Sequence, residues 1–276
     1  MIVTKQQFKL IITDHDGTLV NDERKLLPQT RETLERLHAQ GYLFGLASGR
    51  TVADAKTFPS KWGLSFDFDV IIGLGGGEIW DGVHQRLQKG KQLRPSVVKE
   101  IVELLAPFDL SISIIYPDGR HLVSKMDRFT KESMYRNPND RYEFPKDLSA
   151  LWQEEAPKVL CRIDEERMPQ LEAYVKAHPS PHYWGFKTRP DIYEFMDPEN
   201  TKSNGLRKIC RLLDISLEEV MAFGDTTNDN DLLACCYGVC MANGSEDTKA
   251  FSKDVTRYTN NENGVGDYIE RHLLQG

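Results

Sequence analysis

The chain has 276 residues, of which 39% are hydrophobic and 28% are charged, and its formal net charge is -7. This length is sufficient for one large or two modest domains of ordinary globular composition. The negative charge argues against nucleic acid or an anionic membrane surface as the main partner. No segment approaches the ~18 apolar residues that span a bilayer, and residues 1–9 lack the apolar segment of a signal peptide. We therefore expect a cytoplasmic protein.

Strand-like and helix-like segments alternate in the first third of the chain. The apolar segments 8–13, 42–48 and 69–75 predict strands, and residues 28–40 and 51–58 predict helices. The longer helix starts with Pro28 and is followed by Gly41, which is typical of a helix start and stop. Short strands that alternate with helices favour parallel βαβ units.

The middle of the chain has a different pattern. A helix at 95–106 precedes a hairpin formed by 109–116 and 119–124, and further strands are predicted at 157–163, 182–188 and 191–196. Hairpins of this kind indicate an antiparallel sheet. The βα pattern returns after about residue 198. The sequence therefore predicts an α/β core with a parallel sheet, residues 1–81 and 198–276, interrupted by an α+β domain with an antiparallel sheet, residues 82–197.

The five cysteines do not suggest a disulfide framework, because an odd number in a chain of this size is not typical of one. They are Cys161, Cys210, Cys235, Cys236 and Cys240. No second ligand pair supports a zinc site around Cys236 and Cys240. We expect mostly buried thiols.

The segment DHDGT contains two carboxylates, Asp14 and Asp16, at the carboxyl end of the first predicted strand. Active sites of open parallel sheets form at this end. Strand alternation places the two carboxylates on one side and His15 on the other. Because like charges repel, the pair favours a bound cation. The alternative is an Asx turn followed by a helix cap.

Three further segments carry candidate functional groups. Ser48, Gly49 and Arg50 follow the second strand and can present a hydroxyl and amides to an anion, or form an ordinary turn. Lys202 stands just before a predicted helix, and a lone lysine is usually a surface charge. The oxygen donors Asp225, Asn228 and Asp229 follow another apolar strand. They suit Mg²⁺, or they form a polar loop that caps the next helix.

Taken together, these segments resemble the four motifs of the haloacid dehalogenase (HAD) superfamily. DHDGTLV is similar to the first motif, ASGR to the second, Lys202 to the third and GDTTND to the fourth, in the order that the family has. The resemblance covers about residues 8–80 and 190–272. The C-terminal segments are similar to those of Cof-type hydrolases, whose C2B cap is an α+β domain inserted between the second and third motifs. The resemblance implies a Rossmann-like HAD core with this cap.

Three features depart from the Cof-type pattern. His15 stands where the group usually has an apolar residue, the glycines 75–77 replace an Asn-Gly-Ala loop, and Gly244 replaces an alanine after Asn243. These departures concern substrate contacts and leave every catalytic group in place. We expect His15 to point away from the metal, into the packing behind the strand.

The resemblance implies a reaction through an aspartyl-phosphate on Asp14. Asp16 would act first as acid and then as base, a role that favours a raised pKa. Mg²⁺ would be bound by Asp14, the backbone carbonyl of Asp16 and Asp225, with Asp229 as a ligand or as the holder of a metal-bound water. The implied phosphate-binding residues are Asp14, Gly17, Thr18, Ser48, Gly49, Lys202 and Asn228, and the catalytic residues are Asp14, Asp16, Ser48 and Lys202.

The resemblance also implies that the cap selects the substrate. Polar or aromatic residues on or beside its predicted strands are candidates for this role, unless they belong to an exposed sheet face: Tyr116, Arg120, His121 and Glu194. The implied function is a magnesium-dependent phosphatase for a small phosphorylated metabolite, such as a sugar, polyol or flavin-precursor phosphate, acting as a monomer or weak homodimer.

Other functions are compatible with parts of this pattern. A phosphomutase of the same superfamily is an alternative, although its cap usually follows the first motif. A non-catalytic module that binds a phosphometabolite is another. A dehalogenase is disfavoured, because it would need neither the second acid nor the metal cluster. A P-type pump is excluded, because it would need membrane spans that this sequence does not predict.

Overall fold

The structure is a computed structural model that describes residues 8–274 and divides the chain into two compact units. The first unit lies within residues 1–89 and 201–276, and the second comprises residues 90–200. In the part of the chain that is described, no helix combines the length and the apolar character that crossing a bilayer requires.

Fourteen strands and ten α-helices make up the regular structure of residues 8–274. The strands are β1 (Leu10–Thr13), β2 (Leu43–Ala47), β3 (Val70–Gly73), β4 (Glu78–Asp81), β5 (Arg86–Lys89), β6 (Ser111–Ile115), β7 (Arg120–Val123), β8 (Arg141–Glu143), β9 (Val159–Arg162), β10 (Trp184–Arg189), β11 (Ile192–Met196), β12 (Val220–Gly224), β13 (Tyr237–Cys240) and β14 (Asp254–Val255). The helices are α1 (Pro28–Ala39), α2 (Val52–Ala55), α3 (Phe58–Trp62), α4 (Pro95–Leu105), α5 (Arg128–Arg136), α6 (Met168–Ala177), α7 (Lys202–Leu213), α8 (Asn230–Cys235), α9 (Glu246–Lys249) and α10 (Gly264–Ile269).

The first unit is built on an eight-stranded sheet with the order β14-β13-β12-β1-β2-β3-β4-β5. The strands from β14 to β3 are parallel, whereas β4 and β5 are antiparallel additions. This arrangement confirms the α/β class with a parallel-rich sheet. The alternation of β1 also explains the layers, because Ile11 packs with α1 and α10 on one face while Leu10 and Ile12 pack with α7 and α8 on the other.

Burial on both faces makes β1 a rigid base for the residues that follow it. Leu10, Ile11 and Ile12 are completely buried. Each such side chain contributes about 1.5–3 kcal/mol relative to an exposed one. The parallel neighbours β12 and β2 end beside it, at the same edge of the sheet. The loops after β1, β2 and β12 therefore lie next to one another.

The second unit has a six-stranded sheet with the order β10-β11-β9-β6-β7-β8, antiparallel except for the β7–β8 pair. Helices α4 and α6 cover one face through residues such as Ile101 and Leu171. On the opposite face, Thr130 of α5 lies 3.1 Å from the Ser111 hydroxyl and Arg162 donates to the Phe129 carbonyl. The predicted inserted α+β domain with its antiparallel sheet is thus present as a separate unit.

The division of the chain differs from the predicted domain boundaries at both ends of the insertion. Strands β4 and β5 were not predicted, because β5 is a short polar strand whose residues are all exposed, and β4 is a four-residue strand that directly follows three glycines. Both strands extend the first sheet, so the second unit begins at residue 90 and not at 82, and it ends at residue 200 and not at 197.

Candidate active site

The chain leaves β1 at Thr13 and enters a turn that carries the two carboxylates of the first motif. The amide of Asp14 donates to the Phe223 carbonyl of β12 at 2.9 Å, and the amides of Leu19 and Val20 donate to the His15 carbonyl. The strand alternation predicted through residue 16 is therefore wrong, because the strand has already ended. His15 is buried as expected, but its Nδ1 lies 3.1 Å from Oδ2 of Asp16.

Lys202 joins two of the buried carboxylates. It is the first residue of α7, whose N-cap residue Thr201 accepts a hydrogen bond from the Asn204 amide. Its Nζ lies 2.6 Å from Oδ1 of Asp14 and 2.5 Å from Oδ1 of Asp229. Burial lowers the pKa of Lys202, but the charges of these two carboxylates raise it above its ordinary value. Lys202 is thus a buried, permanently charged ammonium and not a surface lysine.

Asp225 lies at the end of β12, close to the first motif. Its Oδ1 accepts a 2.7 Å hydrogen bond from the hydroxyl of Thr18. Burial and the charge of Asp229 raise its pKa to about 7, against the smaller effects of Thr18 and Lys202. Because the Thr18 hydroxyl donates to Asp225, its position supports the acidic cluster. Its predicted contact with phosphate stays a prediction.

Gly17 can only be a glycine in this arrangement. Its φ is +81°, a conformation that residues with a Cβ rarely adopt. A Cβ atom there would also lie 2.5 Å from Oδ2 of Asp225. The backbone of the first motif is thereby allowed to approach the carboxylate of the fourth.

The acidic cluster has the donor chemistry of a magnesium site. Asp14, Asp225 and Asp229 each present a carboxylate oxygen within 4.8 Å of the others, and hard oxygen donors suit Mg²⁺. Both oxygens of Asp229 are already engaged, since Oδ2 accepts from the amides of Asp225 and Thr226 and Oδ1 from Lys202. Asp14 and Asp225 instead use Oδ1 for their hydrogen bonds with Lys202 and Thr18. Direct metal ligation by Asp14 and Asp225 stays a prediction.

The loop after β2 is fixed by hydrogen bonds from two sides. The amide of the buried Ser48 donates to the Ile72 carbonyl, and its carbonyl accepts from the Gly75 amide. The Ser48 hydroxyl accepts from the Arg50 amide at 3.3 Å. The exposed Gly49 has open space where a side chain would lie. The glycine-rich segment that departs from the Cof-type pattern therefore supports the second motif.

Asp16 contacts three basic side chains, those of His15, Arg24 and Arg50. Its side chain is half exposed and accepts hydrogen bonds from Nε and Nη2 of Arg50. Burial raises the pKa of Asp16, but the contact with His15 and the charges of His15, Arg50 and Arg24 outweigh it and leave the pKa well below its ordinary value. The expected raised pKa is thus wrong in this arrangement, because the sequence does not reveal these contacts.

Asn228 is the middle residue of the helical turn Thr227–Asp229 that leads into α8. Its side-chain oxygen accepts a 2.6 Å hydrogen bond from the Thr226 hydroxyl, and the residue is partly exposed. The structure therefore places Asn228 on the loop of Asp225 and Asp229. Its predicted contact with phosphate stays a prediction.

Sequence reasoning missed two residues that position these loops. The buried Glu78 of β4 accepts a 2.8 Å hydrogen bond from the Val52 amide, at the start of α2. The side-chain amide of Asn243 donates to the Gly17 carbonyl at 2.8 Å. An acidic residue directly after three glycines was a visible signal for Glu78. Nothing local in the sequence links Asn243 to Gly17.

Gly244, which also departs from the Cof-type pattern, and the cysteines have simple structural explanations. A Cβ at Gly244 would lie 2.4 Å from Sγ of Cys240, so a glycine is needed beside that thiol. All five cysteines are free, and all but the partly exposed Cys235 are buried. This confirms the expectation of mostly buried thiols.

Two of the four predicted cap residues pack against each other. The ring of Tyr116 belongs to the hydrophobic core under α4 and α6 and lies 3.8 Å from the Arg120 guanidinium. Burial raises the pKa of Tyr116 to about 12. Arg120 also donates to Glu154 at 2.6 Å. Tyr116 therefore faces the core side of the sheet. The predicted contacts of Tyr116 and Arg120 with substrate stay predictions.

The other two cap residues lie on the opposite face of the sheet. Glu194 pairs with Leu160 and His121 with Ile115, positions that alternate with core residues. Glu194 accepts a 2.8 Å hydrogen bond from Lys158, a buried residue that the sequence analysis missed. His121 lies 2.8 Å from Asp140. These residues form a buried polar cluster within the second unit.

Comparison with known proteins connects this geometry to a family. The family model described as haloacid dehalogenase-like hydrolase matches residues 11–269. The chain is 26% identical to a putative phosphatase, YxeH, of Bacillus subtilis over 285 residues, which cover 97% of this chain and 99% of the relative. It is also 26% identical over 304 residues to YwtE of the same bacterium, which is named a 5-amino-6-(5-phospho-D-ribitylamino)uracil phosphatase. This match covers 97% of this chain and 99% of YwtE.

The fold is similar to that of a solved structure named the HAD subclass IIB sugar phosphatase BT4131. The TM-score is 0.79 at 23% identity, and the match covers 95% of this chain and 98% of that one. The resemblance drawn from the four motifs is confirmed. The chain belongs to the haloacid dehalogenase-like hydrolases.

Proposed function

We propose that this protein is a magnesium-dependent phosphatase that hydrolyses a small phosphorylated metabolite through an aspartyl-phosphate on Asp14. The observation that carries the proposal is the position of Lys202, whose ammonium lies between Asp14 and Asp229. A nucleophilic carboxylate beside a fixed cation is the arrangement that phosphoryl transfer needs, because charge on the transferring oxygens must be stabilised throughout.

Each residue has a defined role in this reaction. The Asp14 carboxylate attacks phosphorus, the bond to the leaving oxygen breaks, and Asp16 donates a proton to the alcohol that departs. A water then attacks the phosphorus of the aspartyl-phosphate and gives a proton to Asp16, which frees Asp14 and inorganic phosphate. Ser48 and Lys202 bind the phosphoryl oxygens. The low pKa of Asp16 favours the carboxylate form that this second step requires, whereas the first step requires Asp16 to be protonated when the substrate is bound.

Asp14 and Asp225 are the side chains that would hold Mg²⁺, together with the backbone carbonyl of Asp16. When bound, the ion neutralises carboxylate and phosphoryl charge, which relieves the repulsion that raises the pKa of Asp225. Asp229 keeps Lys202 and the amides of the fourth motif in place.

The proposed substrates are sugar, polyol or flavin-precursor phosphates. The relatives support this range, since one is named a flavin-precursor phosphatase and a structure of the same fold a sugar phosphatase. Within the second unit, we propose that His121 and Glu194 contact the substrate, because they are buried polar side chains on the sheet face opposite the hydrophobic core. A Glu194→Gln variant is then expected to change KM unequally across substrates.

The test is hydrolysis by the purified full-length protein. Metal is removed with EDTA, Mg²⁺ is added back, and phosphate release is measured from p-nitrophenyl phosphate and from sugar, polyol and flavin-precursor phosphates. We expect turnover that requires Mg²⁺ and is abolished in Asp14→Asn. Asp22→Asn, a change at an exposed carboxylate nearby, serves as the matched control and retains activity.

Each outcome decides between the candidate functions. If Asp14→Asn kept more than a tenth of the wild-type hydrolytic activity, the assignment of Asp14 as the nucleophile would be wrong. Binding of phosphometabolites without any turnover would favour a regulatory module, and formation of an isomeric phosphate would favour a mutase.

A further inference from the structure

A three-residue segment after β13 contacts the first and the fourth motif at the same time. The side-chain amide of Asn243 donates to the Gly17 carbonyl at 2.8 Å. Two residues further on, the backbone amide of Ser245 donates to the Asp225 carbonyl at 3.0 Å. Gly244 lies between these contacts, and a Cβ there would lie 3.1 Å from the Asp225 carbonyl oxygen. We call Asn243, Gly244 and Ser245 the bridge segment, because they span the loops of the two motifs.

The bridge segment is itself fixed by local hydrogen bonds. The amide of Gly244 donates to the Met241 carbonyl at 2.8 Å, which closes a turn directly after β13. Ser245 is the N-cap residue of α9, and its hydroxyl oxygen accepts from the Thr248 amide. The segment is therefore a firm support for the two loops that it contacts.

A neighbouring asparagine sets the orientation of the Asn243 side chain. The backbone amide of Asn260 donates to Oδ1 of Asn243 at 3.0 Å. Because an N–H group can only donate, the oxygen of the Asn243 amide faces Asn260 and its nitrogen faces Gly17. Asn260 is 4% exposed, and its side chain donates to the Val20 carbonyl at 3.1 Å, in the same turn as Gly17. A buried residue thus holds the exposed Asn243 in its donating orientation.

The hydrogen bond from Asn243 fixes the peptide group between Gly17 and Thr18. A peptide group is planar, so a partner that holds the Gly17 carbonyl also sets the direction of the Thr18 end. Glycine lacks the Cβ that restricts rotation of this group, so an outside partner is needed. Both residues contact Asp225, because the Thr18 hydroxyl donates to its Oδ1 at 2.7 Å and a Cβ at Gly17 would lie 2.5 Å from its Oδ2. Rotation of this peptide group would therefore shift the Asp225 carboxylate.

The orientation of Asp225 matters because its carboxylate is one of the proposed Mg²⁺ ligands. Groups that hold a metal ligand from outside typically change metal affinity 10–100-fold when they are removed. The bridge segment holds the backbone of Asp225 through Ser245 and its carboxylate through Gly17 and Thr18.

We propose that Asn243 is a positioning residue that, through the Gly17 carbonyl, sets the Asp225 carboxylate for binding Mg²⁺. This inference rests on the proposed metal-dependent phosphatase function. It gives a specific role to a residue that no local signal in the sequence connects with the site. No bond forms or breaks at Asn243, which affects hydrolysis only through the affinity for metal.

Two leucine variants separate this contact from a general loosening of the first-motif loop. Asn243→Leu removes the donor with little change in size, and Asn243→Gln keeps an amide donor. Asn261→Leu is the matched control, because Asn261 is also exposed and exchanges two hydrogen bonds with Asp22, further along the same loop. Mn²⁺, which suits the same oxygen ligands as Mg²⁺, is titrated into each full-length protein without substrate, and free Mn²⁺ is measured by electron paramagnetic resonance.

We expect the Kd for Mn²⁺ to rise about tenfold in Asn243→Leu, to stay within about twofold of wild type in Asn261→Leu, and to recover most of the loss in Asn243→Gln. The Mg²⁺ concentration that gives half-maximal hydrolysis should rise by the same factor in Asn243→Leu, while kcat at saturating Mg²⁺ stays within about threefold of wild type. A merely structural role would lower kcat at every Mg²⁺ concentration. An unchanged Kd in Asn243→Leu, or an equal rise in Asn261→Leu, would overturn the inference.

The same measurements distinguish this inference from the proposed function. If Asn243→Leu does not fold, as judged by circular dichroism, Asn243→Ala must show the rise in Kd, or the inference fails. A wild type that binds Mn²⁺ but hydrolyses no phosphate monoester would refute the proposed function, and one that binds no Mn²⁺ would refute the metal site and the role of Asn243 together. Mg²⁺-dependent hydrolysis by the wild type, with unchanged Mn²⁺ binding in Asn243→Leu, would refute only the role of Asn243.

Discussion

Nζ of Lys202 lies 2.6 Å from Oδ1 of Asp14, and both side chains are almost completely buried. Removing one partner of a buried ion pair typically costs about 3–5 kcal/mol, because the remaining charge stays in the interior. We expect Lys202→Met to lower the free energy of unfolding by about that amount in the absence of metal. Its kcat/KM should also fall by roughly 10²–10³, the cost of losing one donor to the transferring group.

Denaturant unfolding and Mg²⁺-dependent hydrolysis check both effects. Lys208→Met, on the same helix but only partly buried, is the matched control. Equal stability of the two variants would show that the buried ammonium does not hold the carboxylates.

Gly17 and Gly41 offer a matched pair for testing how the first motif approaches Asp225. Both have positive φ, +81° and +88°, so alanine strains the backbone at each position. Only at Gly17 would the new Cβ meet a neighbour, Oδ2 of Asp225 at 2.5 Å, whereas Gly41 has nothing within 4 Å. We expect both variants to lose about 1 kcal/mol of stability, and Gly17→Ala alone to lose Mg²⁺-dependent activity. Comparable activity in the two variants would contradict the close approach.

The sequence predicted most reliably the buried strands that end in acidic turn segments. Apolar segments that end in DHDGT and GDTTND predicted strands with acids at their carboxyl ends, and β1 and β12 place Asp14 and Asp225 there. Buried strands flanked by turn residues have few alternative structures, so their positions follow from the pattern. Thr18 and Gly17 were likewise recognisable as turn residues, although the hydrogen bond from Thr18 to Asp225 was not.

Contacts between distant segments were beyond sequence reasoning. The pKa of Asp16 is lowered by its neighbour His15 and by two arginines, Arg50 and Arg24, and Arg50 reaches it only because β1 and β2 are neighbours. Lys158 likewise donates a hydrogen bond to Glu194 because the strands β9 and β11 are paired. No periodicity or spacing in a single sequence encodes such pairs.

Metal binding and pH are coupled through Asp225. Its pKa is about 7 in the folded protein against an ordinary value of 3.8, because of burial and the charge of Asp229. Between these values the folded state holds a proton that the unfolded state has lost, so the free energy of unfolding without metal falls as pH rises from about 4 to about 7. Mg²⁺ binds the carboxylate form, so its stabilising effect should grow over the same range.

Thermal unfolding with EDTA and with Mg²⁺, near pH 5.5 and near pH 7.5, measures this coupling. We expect a larger Mg²⁺-induced rise in Tm near pH 7.5 and almost none in Asp225→Asn. Mg²⁺ at 100 times its Kd would contribute ~2.7 kcal/mol. Asp22→Asn should behave as wild type. The same rise in Tm at both pH values would argue against Asp225 as the ligand that titrates.

Glu78 provides a test of how the second motif is held. Its Oε2 accepts a 2.8 Å hydrogen bond from the Val52 amide, and its side chain is buried on β4. Val52 begins α2 directly after the loop of Ser48 and Arg50. Glu78→Ala leaves a backbone donor without a partner, which costs about 1–3 kcal/mol, and it frees the loop that presents the Ser48 hydroxyl. We expect kcat/KM for p-nitrophenyl phosphate to fall about tenfold, since loosened positioning carries penalties of this order.

Glu78→Gln separates the hydrogen bond from the charge. The amide keeps an oxygen that accepts from Val52, so both stability and kcat/KM should remain close to wild type. Glu218→Ala, at an exposed position, controls for the loss of a carboxylate. If Glu78→Gln is as impaired as Glu78→Ala, the negative charge rather than the hydrogen bond supports the loop, and the role of Glu78 would be electrostatic.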